Sequence, residues 1–251
     1  ITIADGKMEA AEVVVDRLRA EMWEHRGEHL YNHVPLVEAV AEAKEITNGP
    51  VILLDHSDNT GSGGNQDVMT AIEEVIRQDL EDVAVGGLWD PEAVQEMMQA
   101  GVGATVTIPL GGKTDMPSIN RKGEPLMITG KVKVLSDGEW TVRGPMYTGL
   151  VVQMGPTAVL DTGKMQIVVV SLHHEPWDQG IFLSVGIDPA FKRYVLLKSR
   201  IHYRAGFAPI AKHTMTLDGV GVTTSDNSLL DYQNVRRPIY PLDNINEPGP
   251  R

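Results

Sequence analysis

The chain has 251 residues and a formal net charge of −12, because 34 Asp and Glu residues outnumber 22 Lys and Arg residues. An acidic chain without a dense basic run is a poor electrostatic match to nucleic acid or anionic lipid, so we exclude both as partners. No apolar run approaches the roughly 20 residues that a transmembrane helix needs, so we expect no membrane span. The apolar fraction of 42% is enough for the core of one large domain.

The absence of cysteine excludes disulfides, thiolate nucleophiles and every zinc or iron site built on cysteine. A chain without disulfides fits a reducing compartment, so we expect a cytoplasmic protein. The chain begins at Ile1 without an initiator methionine and leads almost directly into a helix. We therefore expect it to be the C-terminal part of a longer protein.

Two amphipathic helices come first in the chain. Apolar residues recur at helical spacing over 9–24, and Pro35 opens a second helix that reaches about Glu45. From residue 51 onward, buried strands alternate with helices, with predicted bounds of 51–54, 67–78, 83–88, 90–100 and 104–110. Strands and helices at this spacing indicate a parallel sheet with right-handed crossovers.

The middle of the chain predicts short antiparallel strands instead, at 127–135, 139–143, 157–160 and 166–170. The turn sequences at 136–138 and 161–163 predict two hairpins among these strands. A helix at 179–184 and strands at 194–198 and 214–217 then return to the first pattern. The predicted fold class is α/β, a mainly parallel sheet with flanking helices and an inserted antiparallel β-meander.

The Gly-rich loop from Asp55 to Asp67 is the first candidate site. It follows a predicted strand, at the edge where open α/β sheets bind ligands. The loop lacks the Gly-Lys-Ser/Thr and GxGxxG signatures of phosphate loops and carries carboxylates, which suit a general base, a cation ligand or a grip on an amine. The alternative is structural, with Asp67 as a helix N-cap and Asp58-Asn59 as an Asx turn.

The segment from Lys198 to Arg204 is the second candidate, again after a predicted strand. Lys198, His202 and Arg204 would lie beside the acidic loop if the two strands are neighbours, and a histidine can serve as acid, base or ligand near neutral pH. The alternative is an ion-pair network that holds two loops together.

Two further groups of histidines are weaker candidates for a metal site. In the His-His-Glu sequence at 173–175, the two imidazoles would point to opposite faces of a continuing strand, which favours a partly buried structural role. Three histidines spaced by four residues lie within 25–33, but Gly27 and Asn32 disfavour the helix that would bring them together. We assign no metal ligand to either group.

Seven different short motifs follow one another along the chain, and they are Asp55–Asp67, Trp89–Val94, Ala100–Gly103, Leu110–Lys113, Gly186–Pro189, Lys198–Ala205 and Arg237–Asp243. In this order they resemble the MlrC family of zinc metallopeptidases. The resemblance implies that residues 50–251 form the family's C-terminal domain. It also implies that residues 1–49 are the closing helices of its metal-binding N-terminal domain.

The resemblance implies a zinc-dependent hydrolase that cleaves peptide or amide bonds in a small substrate by means of a metal-activated water. The zinc would be held mainly by residues upstream of this chain, in the N-terminal domain, and the C-terminal domain would close over the cleft with the acidic loop facing it. No HExxH sequence occurs here, which excludes the helical zincin arrangement for this chain.

Positions in the family's motifs also imply roles for individual residues. The candidate catalytic residues are Asp58, Asp67 and His202. The candidate substrate-binding residues are Asp55, Asn59, Lys198 and Arg204.

Residues 116–118 and the histidines at 173–174 depart from the family pattern, and both stretches lie in loops of the kind that line clefts. The natural substrate is therefore left open. Two functions of other classes also stay open: a non-catalytic domain that binds a peptide or small ligand, and a structural or dimerisation domain that would form a homodimer.

Overall fold

A computed structural model describes residues 1–246, so residues 247–251 of the predicted C-terminal domain lie outside the described part. The described chain divides into two compact units, one of residues 34–225 and a smaller one of residues 1–33 and 226–246. In chain order, the helices and strands are α1 (Met8–Glu24), α2 (Leu36–Glu45), β1 (Val51–Asp55), α3 (Thr70–Arg77), β2 (Val83–Trp89), α4 (Pro91–Ala100), β3 (Thr105–Leu110), β4 (Leu126–Ser136), β5 (Glu139–Thr141), β6 (Val151–Gln153), β7 (Thr157–Asp161), β8 (Met165–Val170), α5 (Gly180–Leu183), β9 (Tyr194–Leu197), α6 (Tyr203–Phe207) and β10 (His213–Leu217).

Eight strands of the larger unit form one mixed sheet in the order β10-β1-β9-β2-β8-β7-β4-β3. The strands from β10 to β8 are parallel neighbours, and those from β8 to β3 are antiparallel neighbours. A separate antiparallel pair joins β5 to β6. The predicted α/β class, with a parallel part and an antiparallel insertion, is confirmed.

The central strands are buried on both faces, which explains their continuous apolar sequences. Every residue of β1 and of β9 is buried. One core cluster contains residues of α2, α3 and α4, and a second contains residues of α5, α6 and the β5–β6 pair. Layers on both faces therefore hold the parallel strands in place.

Two of the predicted connections are wrong. Strand β3 does not join the parallel strands, because it lies at the far edge of the sheet, antiparallel to β4. Its alternation of more and less buried residues and its Pro109 are both typical of an edge strand. The turn at 136–138 joins β4 to β5, which belong to different sheets, so only the turn at 161–163 closes one of the two predicted hairpins.

Helix boundaries are set by local chemistry in some places and by packing in others. At α4 the prediction is confirmed: Asp90 Oδ1 accepts a hydrogen bond of 3.0 Å from the Ala93 nitrogen, and proline occupies the first turn. Helix α2 packs on α3 and β10, so by its contacts it belongs to the larger unit. The assignment of residues 1–49 to an upstream domain stays a prediction.

The smaller unit contains α1, none of whose residues is buried. The ring of Trp23 meets Tyr240 edge to face with 6.2 Å between centroids, and the Arg26 guanidinium lies 4.5 Å from the centroid of Trp23.

None of the helices that the structure describes is long and apolar enough to cross a membrane.

Candidate functional site

The segments with the candidate residues all follow the carboxyl ends of parallel strands, on one side of the sheet. The acidic loop follows β1, the Lys198–Arg204 segment follows β9, and the His-His-Glu segment follows β8. Because these strands run parallel in one sheet, their carboxyl ends lie on one side, and β1 and β9 are direct neighbours. Open α/β sheets bind ligands on this side, just beyond the carboxyl ends of their strands.

Lys198 joins the acidic loop to the end of β9 and is wholly buried. Its Nζ donates to Asp55 Oδ2 at 2.9 Å, to Asp58 Oδ2 at 2.8 Å and to the Val68 carbonyl oxygen at 2.6 Å. These bonds use all three donors of the ammonium group. Burial alone would lower the pKa of Lys198, but the two carboxylates raise it above its ordinary value. The arrangement matches the ion-pair network considered as the alternative.

Asp58 is enclosed by its own loop. Its Oδ1 accepts a hydrogen bond of 2.7 Å from the Gln66 nitrogen, and its Oδ2 accepts one of 3.0 Å from the Val68 nitrogen. Its exposed fraction is 0%, so a substrate reaches this carboxylate only if the loop moves. The geometry favours a role in positioning the loop, and the catalytic role of Asp58 stays a prediction.

Asp55 is equally buried, and burial raises its pKa to about 6. The charge of Asp58 acts in the same direction, while Lys198 opposes it. Oδ1 of Asp55 has no hydrogen-bond partner in the described structure. Its predicted contact with substrate therefore also requires movement of the loop.

Asp67 is not a helix N-cap, because α3 begins only at Thr70. Its Oδ2 accepts hydrogen bonds of 2.9 Å from the backbone nitrogens of Lys113 and Thr114, which ties the acidic loop to the segment after β3. Burial raises the pKa of Asp67 above its ordinary value. Asp67 also lines a cavity of about 130 Å³ beside residues 112–126. Its catalytic role stays a prediction.

Asn59 and Arg204 occupy different environments. Asn59 Oδ1 accepts from the Gly61 nitrogen at 3.1 Å, and its amide nitrogen donates to the Ser62 hydroxyl at 2.8 Å, so Asn59 forms a local Asx turn. Arg204 is exposed on α6. Both remain predicted substrate-binding residues, and of the two Arg204 is the accessible one.

Of the three predicted catalytic residues, His202 is the accessible one, with a side chain 50% exposed. Its Nδ1 lies 2.7 Å from Oε2 of Glu175, a residue that is itself buried. The other oxygen of Glu175 accepts a hydrogen bond of 2.8 Å from the Ser199 hydroxyl. A Cβ added at Gly61 would overlap the Glu175 carboxylate, so the acidic loop passes close to this pair.

Gln66 fastens the acidic loop to the His-His-Glu segment. Its amide nitrogen donates to the carbonyl oxygens of Gly87 at 2.6 Å and His174 at 2.7 Å. Its amide oxygen accepts from the His174 nitrogen at 3.0 Å and lies 3.2 Å from His173 Nδ1. This fully buried side chain therefore fixes how the two segments meet. Neither Gln66 nor Glu175 is among the residues predicted for the site.

The two histidines of the His-His-Glu segment contact different aromatic rings. His173 stacks on Trp89 with 4.3 Å between centroids. His174 packs against Trp140 and Trp177, at 5.5 Å and 4.3 Å, and burial lowers its pKa to about 4. Both rings therefore have packing roles.

The residues at this edge do not fit a self-contained zinc site. Among residues 1–246, no group of three or more His, Asp or Glu side chains has an arrangement that could hold a metal ion. Asp55 and Asp58 are bonded to the ammonium group of Lys198, and His202 is paired with a single carboxylate. A zinc site would need ligands from outside the described residues.

The chain is similar to two known proteins along most of its length. The chain is 30% identical over 204 residues to Microcystinase C from Sphingomonas sp., a match that covers 81% of this chain and 38% of that protein. It is similar to the crystal structure of a "Putative metallopeptidase" from Mesorhizobium sp. BNC1, with 26% identity and a TM-score of 0.74, over 90% of this chain and 44% of that one. The chain thus spans less than half the length of either protein.

The family comparison covers most of the larger unit and part of the segment after it. Residues 53–234 match the family model described as MlrC C-terminus. This range contains both the acidic loop and the segment with His202, so the site lies within the matched region. The chain therefore belongs to the MlrC family, of which it carries the C-terminal domain.

Proposed function

We propose that this chain is the C-terminal part of a zinc-dependent hydrolase that cleaves peptide or amide bonds in a small substrate. Membership of the MlrC family and the metallopeptidase name of the Mesorhizobium protein support a peptidase role. The single observation that carries the proposal is the half-exposed His202, held by a buried glutamate at the ligand-binding edge of the sheet. A chain without cysteine also supports the cytoplasm as its compartment.

We place the zinc ligands upstream of this chain, in an N-terminal domain of the same protein. The lack of a metal-binding group among residues 1–246 supports this division. The greater length of both relatives supports the presence of such a domain. Residues 50–251 would then close over the cleft and supply substrate contacts and proton transfer.

Within this chain, His202 is the group that would move protons. A histidine side chain can accept a proton from water and return it to a leaving amine. Arg204, exposed two residues further on, would bind a carboxylate of the substrate through its guanidinium group. Asp55, Asp58 and Lys198 would keep the acidic loop in position beside these groups.

The test uses the longer protein that carries this domain, loaded with zinc and assayed on small peptides and amides. We expect His202→Gln to lower kcat by about 10²-fold or more with zinc content unchanged, because general acid–base catalysis contributes this much. The matched control is His213→Gln. His213 is also exposed, but it begins β10 and so lies at the amino ends of the parallel strands, away from the candidate site. Equal turnover of the two variants would refute the assignment, and tight peptide binding without cleavage would show a binding domain instead.

A further inference from the structure

Glu175 and His202 form a pair whose two members differ in exposure. The glutamate is 6% exposed, whereas half of the histidine side chain is open to solvent. Only Nδ1 of the ring meets the carboxylate, at 2.7 Å from Oε2. The carboxylate therefore contacts one ring nitrogen and leaves Nε2 to other partners.

The carboxylate of Glu175 is itself held firmly. The Ser199 hydroxyl donates to its Oε1 at 2.8 Å, and the backbone nitrogen of Tyr203 donates to the Ser199 hydroxyl oxygen at 3.3 Å. On another side the acidic loop approaches at Gly61 so closely that no Cβ fits. A carboxylate fixed from two sides orients the ring that bonds to it.

This geometry selects one tautomer of the imidazole. A carboxylate accepts hydrogen bonds, so the nitrogen facing it carries the proton. With the proton on Nδ1, the lone pair of the neutral ring lies on Nε2. When Nε2 takes up a second proton, the positive charge of the ring lies next to the carboxylate, which stabilises it.

We propose that Glu175 is the positioning residue of His202: it holds the imidazole as the Nδ1–H tautomer and directs the Nε2 lone pair outward for proton transfer. What Nε2 does for the substrate rests on the proposed function, but the tautomer and its cause do not. In the transfer, Nε2 accepts one proton as an O–H bond of the attacking water breaks. It then gives this proton to the leaving amine, so the ring ends in its starting state.

The first test reads the tautomer directly in this chain. Long-range ¹H–¹⁵N spectra of ¹⁵N-histidine protein, recorded where the ring is neutral, distinguish Nδ1–H from Nε2–H, and the loss of one signal in His202→Gln assigns it. We expect Nδ1–H in the parent and a mixture of tautomers in Glu175→Asp, whose shorter side chain no longer reaches the ring. The matched control is Glu73→Asp, the same shortening at an exposed glutamate of α3, which should leave the tautomer unchanged.

The second test measures kinetics in the longer, zinc-loaded protein. We expect Glu175→Asp to lower kcat by about 10–100-fold with little change in KM, since residues that orient a catalytic group have effects of this size. A thermal melting curve for each variant verifies folding.

Each result decides a different part of the inference. A parent protein with the His202 proton on Nε2 would overturn it without any activity measurement. Retained kcat in Glu175→Asp, in a protein that His202→Gln inactivates, would overturn the positioning role. If the longer protein cleaves no peptide or amide, the proposed function fails, while the spectra still decide whether Glu175 sets the tautomer.

Discussion

Two charged groups lie at the same edge of the sheet and differ in their access to solvent. Lys198 and its two carboxylates are wholly enclosed, whereas His202 is half exposed and only its glutamate partner is buried. In the enclosed group one ammonium is bonded to two carboxylates, whereas the open group keeps a ring nitrogen for other partners. The comparison teaches that a loop rich in carboxylates can serve as the support of a site whose reactive group comes from a neighbouring segment.

The largest effect is expected from removing the enclosed cation. Lys198→Met should lower the free energy of unfolding by about 3–5 kcal/mol, because Asp55 and Asp58 would remain buried without their counter-ion. Denaturant titration measures this loss. The triple variant that also carries Asp55→Asn and Asp58→Asn should recover most of it, and a loss below about 1 kcal/mol in Lys198→Met would contradict the enclosed ion-pair description.

A smaller loss is expected where the acidic loop passes the open pair. Gly61→Ala should cost about 1–3 kcal/mol, because the new methyl group overlaps the Glu175 carboxylate, and either the loop or this buried, hydrogen-bonded side chain must shift. Gly27→Ala is the control, since a Cβ there meets nothing within 4 Å. Equal melting temperatures of the two variants would show that the loop does not press on Glu175.

The enclosed group should also respond to pH. The pKa of Asp55 is about 6 in the folded chain, against an ordinary 3.8, so its stabilising contribution is full below pH 3.8 and is lost as the pH rises to about 6. The stability difference between parent and Asp55→Asn should therefore move toward the variant, by on the order of 2 kcal/mol, over that window. Unfolding titrations at several pH values measure it.

Asp79→Asn is the control for this pH series. Asp79 is exposed, and its hydrogen bond to Lys164 lowers its pKa, so its contribution is present above pH 3.8 and is lost as the pH falls. Its difference from the parent should thus change in the opposite direction. Parallel pH profiles for the two variants would contradict the assigned burial of Asp55.

The smallest effect on stability is expected at the open pair. His202→Gln should change the free energy of unfolding by less than about 0.5 kcal/mol, because the side chain is half exposed and glutamine can still bond to Glu175. The same denaturant titration applies. A loss comparable to that of Lys198→Met would mean that His202, too, has a mainly structural role.

Local signals in the sequence predicted the helices and strands well, but they did not predict which strands pair with each other over long range. The Asp90-Pro91 start of α4 depends on neighbouring residues and is confirmed. The position of β3 depends on its pairing with β4, a later segment, and the alternation of strands and helices wrongly favoured a parallel neighbour. One signal against that placement was present, because a proline within a strand favours the sheet edge.

The same division holds for the site. Lys198 lies against Asp55 and Asp58, as expected if the strands that precede them are neighbours, and these strands, β1 and β9, are paired. Glu175 and His202 are separated in the chain by α5 and β9, so no local pattern links them. In the sequence, Glu175 follows two histidines, which were the stronger candidates for a metal site. Gln66 has a positive φ of 64° and forms hydrogen bonds to residues that are distant in the chain. No local sequence pattern predicts either property.

The edge strand β3 has a consequence for association between molecules. An unpaired strand at the border of a sheet is a template to which a strand of another molecule can add. Pro109 has no N–H group, so β3 presents an incomplete row of donors to such a strand. We therefore expect that two copies of this chain would associate through another surface, and that this border protects the protein from strand-by-strand aggregation.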